Sequence, residues 1–162
     1  MIPVVPAIAA NSPFPSPTVI ASSDPTIAAF YAARQGSLLW LSGGGDSSAA
    51  RELISVLERA PLDGLASGPA LAAQARALIA RGDTSAADQI LSGAWVRYVQ
   101  ALQRPPSEMI YADNWVRPHQ DSAAAILARA SQAPLLSAYV RKVSSVNPIY
   151  AQLREAAWGA MR

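Results

Sequence analysis

Between residues 84 and 103 the apolar positions Ala87, Ile90, Leu91, Ala94, Trp95, Tyr98, Val99 and Leu102 recur at steps of three and four. That spacing predicts a helix with one apolar face. Asp83 or Thr84 supplies an N-cap, and Arg104-Pro105-Pro106 supplies a stop. Counted on 3.6-residue turns, Ala87, Leu91, Ala94, Tyr98 and Leu102 form one stripe, with Ile90 and Trp95 beside it. So wide a stripe, carrying two aromatic rings, predicts a central helix wrapped by others.

The remaining periodic stretches are shorter. Asp24-Pro25 reads as an N-cap and a first-turn proline, opening a helix through Ile27, Phe30, Tyr31 and Arg34 to about Gly36. The apolar run 37–42, with Trp40 at its centre, is too short for a helix and is expected to be extended. After Gly43-Gly44-Gly45, Asp46 or Ser47 caps a helix to about Arg59, with Ala50, Leu53, Ile54 and Leu57 on its buried face. A turn over 61–65 leads to a helix over 67–79, with Leu71, Ala75, Leu78 and Ile79 as its stripe and Arg81-Gly82 as its stop. Residues 105–120 read as irregular. Asp121 or Ser122 caps a helix to about Ala130, Pro134 starts another through Val140, and Asn147-Pro148 opens the last, with Leu153, Ala157 and Trp158. No useful strand alternation and no fixed-period repeat is found. The expected class is all-α, a single compact multi-helix domain over residues 24–162. Residues 1–23 hold five prolines and no charged side chain, and are expected to form an extended segment, a tether or surface strap.

Composition changes this picture mainly by exclusion. At 162 residues, 51% hydrophobic and 15% charged, the chain suits one folded domain. A net charge of +2 with scattered arginines, and Lys142 as the only lysine, makes no basic stripe for nucleic acid. No apolar run approaches the roughly 20 residues that span a bilayer. The chain has no cysteine, which removes a thiolate nucleophile, a disulfide framework and a thiolate metal site.

Several motifs together resemble one family. FYAAR at 30–34 followed by Leu39-Trp40, the helix at 49–57, Gly64-Leu65, WVRYVQAL at 95–102, and the closing APLLSAYV and NPIYAQLREA are similar, in order and spacing, to the scaffold domain of large murein L,D-transpeptidases. The resemblance implies a periplasmic or cell-envelope protein concerned with peptidoglycan cross-linking. In that family a separate β-rich domain bears the catalytic His and Cys, and neither a cysteine nor such a region is present here. The expectation is therefore a non-catalytic scaffold without cofactor, docking peptidoglycan, a catalytic module or a partner protein. It is either a piece of a longer polypeptide or a free-standing scaffold, and residues 1–23 would suit the start of an exported chain with an added Met.

Candidate chemistry is sparse. His119 stands in a polar loop with no second histidine to build a metal site, and reads as a surface residue. The run Gly43 to Ser48 lacks the lysine of a phosphate cradle and carries Asp46 instead. Paired carboxylates chosen from Glu52, Glu58, Glu108 and Glu155 would suit a cell-wall hydrolase centred on Glu108, the alternative reading. A homodimeric interaction module is a third. Phe30, Trp40, Trp95 and Tyr98 are assigned to the core. A ligand or partner groove is expected near Tyr111, Trp115, Arg117 and Arg34, with the planar fork of Arg34 suited to a carboxylate. The competing reading of Arg34 is an internal ion pair that locks the first helix.

Overall fold

The computed structural model describes residues 24–104, 113, 115, 118–145 and 148–160. Within them the chain is all-α, with seven helices and no strand. The expected extended segment, residues 1–23, lies outside the described residues, so its boundary with the helical part stays an expectation.

Helix α1, Pro25–Ala33, starts as its sequence dictates: Asp24 accepts a hydrogen bond from the Thr26 N–H at 2.9 Å, and proline takes the first turn. Gln35 and Gly36, both with left-handed φ (53° and 77°), turn the chain out of α1 into residues 37–47, which form no regular element. Helix α2, Ser48–Arg59, buries Ala50, Leu53, Ile54 and Leu57 as expected. The predicted turn is a 3-10 turn, Ala60–Asp63, closed by Gly64 at φ 91°. Helix α3, Gly68–Ala80, begins against the end of α2. A Cβ at Gly68 would stand 2.3 Å from the Leu57 carbonyl oxygen, so the α2–α3 corner needs glycine there. In α3 the buried positions include Ala72 besides Ala75 and Leu78, while Leu71 and Ile79 are only half-buried.

Helix α4, Thr84–Leu102, packs against α1, α2, α3 and α5. Ala87, Leu91, Ala94, Trp95 and Tyr98 are buried as expected, but so are Asp88, Ser92, Gly93 and Val96. Neighbours on several sides bury the helix well beyond a single stripe. At its centre Trp95 meets Trp40 edge-on at 5.9 Å, stacks with Tyr98 at 6.0 Å and meets Tyr139 at 6.0 Å. Trp40, Trp95 and Tyr98 are fully buried, and Phe30 is half-buried against the same core. Helices α5 (Ala123–Gln132, capped by Ser122) and α6 (Leu136–Ser144) close the core beside α1 and α2. Helix α7, Pro148–Ala160, follows.

Candidate functional site

One buried polar cluster is built on Asp88, on α4. Its carboxylate accepts the backbone N–H groups of Leu39 (2.8 Å), Trp40 (2.8 Å) and Leu41 (2.7 Å), and the hydroxyl of Tyr31. Ser92, one turn further on, accepts from Trp40 Nε1 at 2.9 Å and lies 2.7 Å from the Tyr31 oxygen. Residues 37–42 were expected to be extended, but 39–41 bend and 42 turns, and the N–H groups of 39–41 are satisfied by one side chain rather than by another strand. Burial first, and Asp88 beside it second, push the Tyr31 phenol well above its ordinary value of 10. A carboxylate sealed by this many donors is a structural clasp and has no route to a substrate.

A second buried carboxylate, Asp63, accepts from Tyr98 Oη at 2.8 Å and from Arg154 Nη1 on α7 at 2.9 Å. Arg154 also donates to the Ser144 carbonyl at 3.2 Å. Burial by itself would lower the Arg154 guanidinium, but Asp63 and Tyr98 outweigh it and hold the group above its ordinary value. Burial first, and Asp63 second, also raise the Tyr98 phenol. This cluster ties α7 to the body of the domain.

Arg34 is different. Its Nε donates to the Ser37 carbonyl (3.3 Å), its Nη2 to the Leu38 carbonyl (3.4 Å), and its guanidinium carbon sits 5.3 Å from the centre of the Phe30 ring. These partners are uncharged. They fix the fork without neutralising it, and no carboxylate pairs with Arg34 among the described residues. The guanidinium lines a groove of about 450 Å³ between residues 38–49 and the α5–α6 turn, together with Ser42, Ser47, Ser131 and Ser137. No acidic side chain is among its lining residues. A half-buried cation, hydroxyl groups and no competing anion make a surface able to take a carboxylate.

The four residues expected to share a site divide. Tyr111 and Arg117 lie outside the described residues. Trp115 is 80% exposed, and Arg34's described contacts are with Phe30, Ser37 and Leu38, not with Trp115. Arg34 therefore opens onto a groove formed by the α5–α6 turn, a neighbour nearly a hundred residues away that no local pattern could name. His119 is exposed. Glu52 pairs with Arg141 at 3.7 Å, Glu58 with Arg76 and Glu155 with Arg59, so these carboxylates are engaged on the surface. Glu108 lies outside the described residues. No group of three His, Asp or Glu side chains is placed to hold a metal ion among the described residues, and no helix there is long and apolar enough to cross a membrane.

The FYAAR motif now has a physical content: Tyr31 closes the Asp88 clasp, and Phe30 lies against Arg34. The sequence reading missed Asp88 and Ser92 as buried polar partners, although an acidic residue beside the apolar stripe with a serine four residues on was the available signal. In comparisons with known proteins, neither the curated proteins nor the solved structures yielded a match. A family model described as Scaffold domain matches residues 25–156, from the first turn of α1 into α7. With most of its length covered by that match, the chain belongs to the Scaffold domain family.

Proposed function

We propose that this scaffold domain is non-catalytic, belongs to a cell-envelope protein, and docks carboxylate-bearing peptide, in particular the stem peptides of peptidoglycan, through the Arg34 groove. The observation that carries the reading is the Arg34 guanidinium, fixed by neutral partners and facing a groove with no acidic lining. A charge held in place but left unpaired stabilises an incoming carboxylate more than one already neutralised, because a fixed fork loses little rotamer entropy on binding. The cell-wall assignment comes from the resemblance to the murein L,D-transpeptidase scaffold. The non-catalytic assignment follows from the missing thiol, which that family's chemistry needs.

Co-sedimentation with purified sacculi tests both. The chain is expected to pellet with the sacculi, and Arg34→Gln to weaken that binding by about tenfold, the loss of one charge-assisted contact. Circular dichroism melting of the variant checks that the fold survives the loss of the Ser37 and Leu38 contacts. Equal pelleting of both proteins would remove Arg34 from the site. Release of muropeptides would overturn the non-catalytic reading in favour of a carboxylate-dependent hydrolase.

A further inference from the structure

A second concave surface lies across the α5–α6 turn from the Arg34 groove. It encloses about 480 Å³, within the range of ordinary ligand pockets, and its floor is Pro134, Leu135, Ala138 and Tyr139. Leu135 is 60% exposed, one of three large apolar side chains so open among the described residues. Tyr139 meets the buried Trp95 edge-on at 6.0 Å, so the floor is anchored to the core and is formed in advance of any partner. A concave, exposed apolar patch of this kind marks a contact site more often than a lone exposed leucine does.

The rim carries the charge. Arg129 is taken by both oxygens of Asp121, at 2.6 and 3.3 Å. Lys142, the only lysine of the chain, lines the surface and forms no ion pair among the described residues. No acidic side chain is among the lining residues. A second copy of the chain fits this poorly: a two-fold contact brings a face against itself, and this face has no carboxylate to meet its own Lys142. We propose that this surface docks a segment of a protein partner that carries an apolar anchor side chain beside one or more carboxylates. The proposal rests on the reading of the chain as a docking scaffold; the surface shares Ala133, Pro134 and Leu135 with the Arg34 groove, but Tyr139 and Lys142 line it alone.

The test is an amide chemical-shift titration of the isotope-labelled full chain with two end-blocked peptides, Asp-Leu-Phe-Asp and Lys-Leu-Phe-Lys. The acidic peptide is expected to shift the amides of residues 135–142, with the shifts shrinking as salt is raised. Leu135→Ser should lower its apparent affinity about tenfold without lowering the melting temperature, because the side chain is already exposed and serine is favoured at this N-cap of α6. Lys142→Glu should transfer the preference to the basic peptide. Equal shifts from both peptides, shifts that map elsewhere, or an unaffected Leu135→Ser would each overturn the proposal. So would a concentration-dependent dimer mass abolished by Leu135→Ser, which assigns the face to a second copy, or loss of sacculus binding in Lys142→Glu, a residue outside the Arg34 groove, which assigns it to the wall. Arg34→Gln should leave the peptide titration unchanged, so the two readings fail separately.

Discussion

The two ends of α4 solve the same problem in different ways. Near its start, Asp88 is fully buried and bound by the backbone of a contiguous strap, residues 39–41, and by Tyr31. Near its end, Tyr98 and Arg154 hold the buried carboxylate of Asp63, and Arg154 arrives from α7, 91 residues further along the chain. Burying a carboxylate costs several kcal/mol unless its oxygens are satisfied. At the first end uncharged donors do this, and the protein gains the shape of a segment with no helix of its own. At the second end a counter-charge does it, and the protein gains an attachment for its last helix. The second solution is less complete: Arg154 Nε has no hydrogen-bond partner among the described residues. The comparison teaches that the Asp88 clasp belongs to the body of the fold, whereas the Asp63 pair is a fastening.

The sharpest way to break the comparison is Asp88→Ala. It strands three buried N–H groups, each worth about 1–3 kcal/mol when left unpaired, while the Tyr31 hydroxyl keeps the residue-88 carbonyl and Ser92, so a loss above about 3 kcal/mol is expected in urea unfolding. Against a total stability of about 5–15 kcal/mol, that leaves little folded protein in warm solution. A loss near 1 kcal/mol would show that the strap does not depend on Asp88.

Arg154→Met should cost less, about 2–3 kcal/mol, since Tyr98 still satisfies an Asp63 oxygen and the methionine keeps much of the packing. Its distinguishing readout is amide hydrogen exchange: α7 should lose protection while α4 and residues 39–41 keep theirs. Uniform loss of protection would make the Asp63 pair as central as the Asp88 clasp.

The smallest effect per group is alkaline. Tyr31 and Tyr98 have phenols raised by burial and a neighbouring carboxylate, so both stay neutral in the folded chain above the pH at which unfolded tyrosine ionises. Their contribution is complete below pH 10 and is lost as the pH rises beyond it. At pH 11 each should lower stability by about 1.4 kcal/mol. Comparing the pH 9 to pH 11 change in Tyr31→Phe and Tyr98→Phe with that of the parent checks each term. An unchanged slope in either variant would mean that tyrosine is not sealed as described.

Much of the fold was legible because helices write their periodicity into the chain. Asp24-Pro25 and Ser122 cap the helices they were expected to cap, and the apolar positions expected on α2 and α4 are buried, except Leu102, which is half-buried. The boundaries moved by a few residues, as with α6, which begins at Leu136 rather than Pro134. The site was less legible. Arg34 was singled out for its chemistry, but Trp115, expected beside it, makes none of its described contacts, and the groove that holds Arg34 comes from the α5–α6 turn. Ser47, expected as a cap, makes no side-chain capping bond to α2.

By itself the sequence determined the helical class, the central place of residues 84–103, the core positions of Trp40, Trp95 and Tyr98, and the lack of a thiol, because each depends on residue type and short-range spacing. Tertiary structure alone decided that Asp88 turns inward to bind the backbone at 39–41, that Asp63 meets Arg154, and that the Arg34 fork is fixed yet unpaired. These depend on contacts between residues dozens of positions apart. A side chain's local pattern carries no record of which distant donor or charge the fold will bring to it.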